Sequence, residues 1–231
     1  MLLTPDALNA ALDALAHGSS GDPFAILGPH VVHTGGTSRV VILTIQPSAA
    51  RVEVVRLGPG DQRTQIEMRR LPQEIIFAAQ FNGEAQIFDY RLRVTTMDGQ
   101  TFELDDPYRY GQVMGELDLH LLGEGRHYRA FERLGSHALK IGQAIGTYFA
   151  VWAPNAERVS VVGDFNQWHG LAHPMRRLVP NGIWELFVPG LGAGERYKYE
   201  IKPRFARAHD NRSDISAEVD VSGGCLVSLF V

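Results

Sequence analysis

The sequence predicts an all-β protein: two tandem immunoglobulin-like β-sandwiches, preceded by a short N-terminal helix and joined by a partly helical connector. Two observations carry this prediction. From Arg39 onward, short runs rich in Val, Ile, Phe and Thr recur, each closed by Gly, Pro, Asn-Gly or Asp-Gly. That rhythm suits an antiparallel sandwich. The chain also repeats itself at a constant offset of 107 residues, the step from Pro47 to Pro154. Ala49, Arg51, Val52, Val54 and Val55 fall on Ala156, Arg158, Val159, Val161 and Val162. Further on, Phe77 falls on Trp184, Gly83 on Gly190 and Tyr90 on Tyr197. An ungapped self-match at strand ends and turns implies two copies of one unit.

Taken in order, Thr4-Pro5 before Leu8, Leu12 and Leu15 predicts an amphipathic helix capped by Thr4 and stopped at Gly18. Asp22 to His30 reads as a turn-rich lead-in. Strands are expected at Arg39–Gln46, Arg51–Leu57, Thr64–Arg70, Glu74–Phe81, Ile87–Val94 and Thr101–Leu104. Asp105 to Gly146 reads as a connector with one or two short helices packed on the neighbouring sheets, since Tyr128, Phe131 and Leu134 recur at a spacing of three. Strands return at Tyr148–Ala153, Val159–Val162, Met175–Leu178, Ile183–Val188 and Arg196–Ile201. The expected domains are 1–21 (helix and joint), 22–106 (first sandwich), 107–146 (connector), 147–205 (second sandwich) and 206–231 (a divergent tail, with Cys225 to Val231 apolar enough for an edge strand).

Composition narrows the function. The 231 residues are 45% apolar and 21% charged, an ordinary globular balance. A net charge of −4 leaves no basic footprint for nucleic acid or an anionic membrane. No apolar run approaches the roughly 20 residues that span a bilayer. The single cysteine, Cys225, has no intramolecular partner, and the acidic N-terminus is no signal peptide, so a reducing, cytoplasmic setting is expected.

The candidate site lies in the second copy. Tyr148 to Trp168 reads as strand, Pro-Asn turn, strand, and then a polar Gly-Asp-Phe-Asn-Gln-Trp loop. Trp168 at the tip of that loop is either a loop anchor or a flat platform. Its counterpart in the first copy is Asp61. Unless the loop of the first copy takes another course, an anchor needed by the fold would be needed twice, which favours a role special to the second copy.

The segment F-A-V-W-A-P-N-A-E-R-V-S-V-V-G-D-F-N-Q-W, followed by H-P-M-R-R, N-G-I-W-E-L-F-V-P-G and Y-K-Y-E-I, resembles the N-terminal part of bacterial 1,4-α-glucan (glycogen) branching enzymes. There it forms a family-48 carbohydrate-binding module. The lead-in D-P-F-A-I-L-G-P-H and the connector G-E-L-D-L-H-L-L-G-E-G-R-H-Y-R-A-F-E-R-L-G-S-H resemble the long form of that enzyme, which carries an extra N-terminal sandwich. The likeness runs from about Asp22 to Ile201. In the family a (β/α)8 barrel of glycoside hydrolase family 13 follows and supplies the catalytic carboxylates. No barrel pattern occurs here, so no catalytic residue is carried over. The tail after Ile201 also departs from the family.

The resemblance implies a non-catalytic part of a branching enzyme in glycogen biosynthesis, inactive alone. It would bind α-1,4-glucan, help set the transferred chain length and adjoin a catalytic barrel. It implies no cofactor, no metal, and no nucleic-acid or membrane partner. It raises Trp168 to a sugar platform. It makes Lys198, in the Y-K-Y motif, a hydroxyl donor, and it gives Phe205 the place of a second stacking ring. Each has a plainer reading. Lys198 alternates with inward Tyr197 and Tyr199 and would otherwise be a solvated charge. Trp184 is a candidate contact, but if its neighbour Glu185 faces water then Trp184 faces the core. Asn166 could meet a hydroxyl or shape its turn. His169 and His173 are four apart, but Pro174 and the loop argue against metal geometry. Asp105-Asp106 reads as a turn pair before Pro107. The rivals to glucan binding are a structural module packing on a catalytic domain or partner chain, and a truncated gene product.

Overall fold

The computed structural model describes residues 4–204 and the strand 215–220. The chain divides into two compact units, Met1–His17 with Phe24–Arg109, and Gly18–Pro23 with Tyr110–Val231.

The first unit opens with helix α1 (Pro5–Ala16). The Thr4 side chain accepts the Ala7 N–H at 3.3 Å, so the sequence's cap is the structural one. Leu12 and Leu15 are buried. Eight strands follow: β1 (Gly28–Thr34), β2 (Thr37–Ile45), β3 (Ala49–Leu57), β4 (Arg63–Glu67), β5 (Arg69–Arg70), β6 (Ile76–Asn82), β7 (Tyr90–Thr96) and β8 (Thr101–Leu104). They form two antiparallel sheets, ordered β1-β2-β6-β5 and β4-β3-β7-β8. Inward-facing Val40, Ile42, Val52, Val54, Phe77 and Leu92 fill the space between them.

The second unit begins with helix α2 (Glu116–Gly123) in the connector. It continues with β9 (Gly135–Ile141), β10 (Ala144–Trp152), β11 (Ala156–Gly163), β12 (Arg176–Leu178), β13 (Ile183–Pro189), β14 (Arg196–Pro203) and β15 (Ile215–Asp220). Its sheets run β12-β13-β10-β9 and β11-β14-β15. The core is aromatic: Phe149, Tyr197 and Tyr199 meet edge to face at centroid distances of 4.8 to 6.5 Å. The all-β, two-sandwich reading holds. The repeat is structural as well: β1, β2 and β6 begin and end at the counterparts of β9, β10 and β13. Both copies carry the same register shift, between Ala49 and Arg51 and between Ala156 and Arg158.

The structure corrects the sequence reading at three places and adds to it at others. The lead-in and the end of the connector contain strands β1 and β9, which the Gly-Pro-His and Gly-Ser-His openings disguised as turns. Gly35 and Gly36, at φ 59° and 80°, make the tight hairpin between β1 and β2. The single strand expected over Thr64–Arg70 is two, in different sheets. The chain crosses at Met68, which is buried and donates its N–H to the Val52 carbonyl. The strand expected from Ile87 starts only at Tyr90. Strand Ile215–Asp220 pairs with β14; Cys225 to Val231, where the sequence suggested an edge strand, lie outside the described residues. Finally, Glu185 does not face water. The connector covers the outer face of β10 and β13, burying Tyr148 and Phe187 beneath Met114 and the flank of α2. Glu185 is fully buried there. It accepts the N–H groups of Val113 (3.1 Å) and Met114 (2.9 Å), the Tyr148 hydroxyl (3.0 Å) and Arg176 Nε (2.9 Å). A buried carboxylate is tolerable when its lone pairs are met in this way.

Candidate functional site

The two copies differ most along one sheet edge. In the first, β4 pairs with β3 from Glu53↔Glu67 to Leu57↔Arg63. In the second, the corresponding edge of β11 has no partner strand among the described residues. The loop after Gly163 folds along it instead. The Val161 N–H donates to the His173 carbonyl at 3.1 Å, the Met175 N–H to Val159 at 2.8 Å and the Trp168 N–H to Gly163 at 2.9 Å. Asn166 completes the seam: Oδ1 accepts the Gly163 N–H at 2.9 Å, and Nδ2 donates to the Val161 carbonyl at 2.9 Å and to His173 Nδ1 at 2.9 Å. That last bond requires an unprotonated His173 Nδ1, and burial pushes the His173 pKa down to about 4.

The loop tip is strained. Gln167 and Trp168 are successive left-handed residues, at φ 56° and 60°. For non-glycine residues this conformation costs about 1–2 kcal/mol each. The result turns the Trp168 ring outward, 39% exposed. Its Nε1–H donates to Asp164 Oδ1 at 2.9 Å, while Arg196 Nε and Nη2 grip Asp164 Oδ2 at 3.1 and 3.0 Å. The indole N–H and then Arg196 hold the Asp164 carboxyl below the usual carboxylate range. The Lys198 ammonium lies over the indole, 5.7 Å from its centroid.

Behind the tip the loop is pinned to the outer face of β11 and β14. Arg158 donates to the Ser160 hydroxyl at 2.9 Å, to the Gly170 carbonyl and to Glu200. Gly170 lies so close to Glu200 that a Cβ there would fall 1.9 Å from its carboxylate.

Of the residues singled out by the sequence, Trp168 and Lys198 meet, and Asn166 shapes the loop beneath them with every side-chain polar atom engaged. Trp184 is corrected as a sugar contact. It is fully buried, and its Nε1 donates to the Ala153 carbonyl at 2.9 Å, so its ring offers no open face. Phe205 lies outside the described residues. Sequence reasoning missed Asp164, Arg196, Arg158, Gly170 and Glu200. The signal for Asp164 was present in the Gly-Asp-Phe-Asn loop; Arg196 shares the alternation that puts Lys198 outside. Among the described residues no group of three or more His, Cys, Asp or Glu could hold a metal ion, and no helix is long and apolar enough to cross a membrane.

The chain has known relatives. Residues 8–108 match the family described as alpha-1,4-glucan branching enzyme GlgB, N-terminal domain, and residues 133–216 match carbohydrate-binding module 48 (isoamylase N-terminal domain). The class is thus a tandem of β-sandwiches whose second member is a family-48 carbohydrate-binding module. More particularly, the chain corresponds to the N-terminal region of 1,4-alpha-glucan branching enzymes GlgB. It is 52% identical over 189 residues to that of Paramagnetospirillum magneticum, covering 82% of this chain and 24% of the relative. To that of Cereibacter sphaeroides it is 48% identical, covering 81% and 25%. The chain spans about a quarter of the length of these curated relatives. Among solved structures, a pullulanase from Anoxybacillus sp. LM18-11 aligns over 78% of this chain and 24% of its own, at 18% identity and a TM-score of 0.26, too low to inform the fold.

Proposed function

We propose that the second sandwich holds an α-1,4-glucan against Trp168 and Lys198, as the non-catalytic N-terminal part of a cytoplasmic branching enzyme acting in glycogen biosynthesis. The observation that carries this reading is an outward indole fixed by a strained turn, with a lysine ammonium 5.7 Å from its centroid. A pyranose has an apolar C–H face and a rim of hydroxyls, so a ring and a nearby donor suit its two kinds of surface. An aromatic ring half covered by a sugar contributes about 2–3 kcal/mol before association costs. That ring together with a few hydrogen bonds to sugar hydroxyls gives an affinity of roughly millimolar to high micromolar. On a branched polymer, many repeats and a tethered catalytic barrel raise the effective concentration. In this role the module would help select the length of chain that the barrel transfers.

A second reading has its own support. The connector exposes Leu117 (70%), Tyr128 (95%) and Phe131 (50%), as a surface for packing on other protein would. Maltoheptaose titration followed at the tryptophan indole resonances separates the two. Glucan binding predicts a selective shift of Trp168 that is lost in Trp168→Ala, with the unfolding midpoint retained. If the Trp168→Ala chain co-sediments with glycogen as well as the parent chain does, the platform is wrong.

A further inference from the structure

We infer that Asp164 is a positioning residue that presets the Trp168 platform: its carboxylate fixes the indole at Nε1 and is itself fixed by Arg196, so the ring stands in place before a glucan arrives. The inference rests on the glucan reading of the site and adds the device that orients it.

Three observations support it. Trp168 is 39% exposed and sits on a loop, so packing covers only part of its ring. The Asp164 bond to Nε1, at 2.9 Å, adds a directional hold on the indole edge. Ordering a side chain on binding weakens binding, and ordering it beforehand removes that cost. Second, the carboxylate is held from its other oxygen by Arg196. Asp164 and Arg196 are largely exposed, with side chains 44% and 72% accessible, so their pairing orients the ring rather than building the core. Third, the set occurs once. At the constant repeat offset, Asp164, Trp168 and Arg196 fall on Leu57, Asp61 and Asp89 of the first unit, where a strand replaces the loop. The three residues are present together or absent together.

The arrangement has a chemical consequence. Nε1–H is the only polar group of an indole. Bonded to Asp164, it is not offered to a sugar hydroxyl, so Trp168 presents an apolar face, and donors to the hydroxyls come from neighbours such as Lys198.

The test uses the whole chain, maltoheptaose and the Trp168 indole ¹H–¹⁵N resonance. In the parent chain that resonance should lie downfield, as a charge-accepted N–H does, and move upfield as acid protonates Asp164. In Asp164→Ala it should lie upfield and broaden, and the maltoheptaose Kd should rise about fivefold, as the loss of one orienting hydrogen bond implies. Asp164→Asn, which keeps an acceptor but loses the charge pair with Arg196, should fall between. Thermal unfolding midpoints should stay near the parent's, because the backbone bond from the Gln167 N–H to the Asp164 carbonyl does not need the side chain. An Asp164→Ala chain with an unmoved Trp168 resonance, or with an unchanged Kd, overturns the inference. A parent chain whose Trp168 ignores maltoheptaose overturns the glucan reading instead, and the resonance comparison still decides whether Asp164 sets the ring.

Discussion

Replacing Glu185 with alanine tests how the connector is held to the second sandwich. Four donors converge on this carboxylate: two connector N–H groups, the Tyr148 hydroxyl and Arg176 Nε. Alanine would remove the buried carboxylate that pairs with Arg176, whose side chain is only 15% accessible, and take the acceptor from two amides. Breaking a buried ion pair from one side costs about 3–5 kcal/mol, against a total of about 5–15 kcal/mol for a typical domain. The second unit should therefore lose a large share of its stability. Glu185→Gln keeps the shape but sets an amide donor against donors whichever way it turns, at about 2 kcal/mol. All three tryptophans, Trp152, Trp168 and Trp184, lie in the second unit, so tryptophan fluorescence during urea unfolding reads that unit alone. Hydrogen exchange at Val113 and Met114 reads the connector: both amides should exchange faster in Glu185→Ala. A loss below about 1 kcal/mol with unchanged exchange at those amides would falsify the view that Glu185 fastens the connector.

Two further perturbations probe the loop. Gly170→Ala should cost about 1–2 kcal/mol, because its methyl forces Glu200 away from Arg158; an unshifted thermal midpoint would show that the loop gives way freely. Acid should also weaken the second unit. His173 is held down to about 4 in the folded chain, below its ordinary 6.5, so the unfolded chain takes up the proton first. The stability tied to neutral His173 is complete above about pH 6.5 and is lost as pH falls through about 4, amounting to at most about 3 kcal/mol. His173→Asn should flatten that slope in urea melts taken from pH 7 to 4, and a slope that persists would place the titration elsewhere.

Much of the fold was legible because it depends on local chemistry. Thr4 caps α1 whatever lies beyond it, and the apolar runs of β3, β6, β11 and β13 mark themselves. Strands β1 and β9 were not legible on their own, since edge strands with one covered face carry a weak pattern and both open on glycine. The burial of Glu185 was not legible for a different reason: it is imposed by Val113 and Met114, some seventy residues earlier in the chain, and alternation within one strand knows nothing of what covers it. At the site, the repeat isolated Trp168 by subtraction, and strand alternation put Lys198 outside. The bonds that aim the indole, from Asp164 and Arg196, arise from a turn with two left-handed residues, and no propensity of Gln167 or Trp168 announces that conformation.

The seam between the Trp168 loop and β11 gives the loop a second duty. An outermost strand with open N–H and C=O groups invites pairing with any other extended chain, and proteins guard such edges. Here the guards are the loop's own bonds to Val159, Val161 and Gly163, in the place that β4 fills in the first unit. A variant with this loop shortened would lose the sugar platform we propose and, in the same cut, uncover a β-edge competent for self-association. Selection on the loop for ligand binding therefore acts within a limit set by solubility: the stretch that lies against β11 has to keep its backbone bonds whatever the tip at Gln167–Trp168 binds.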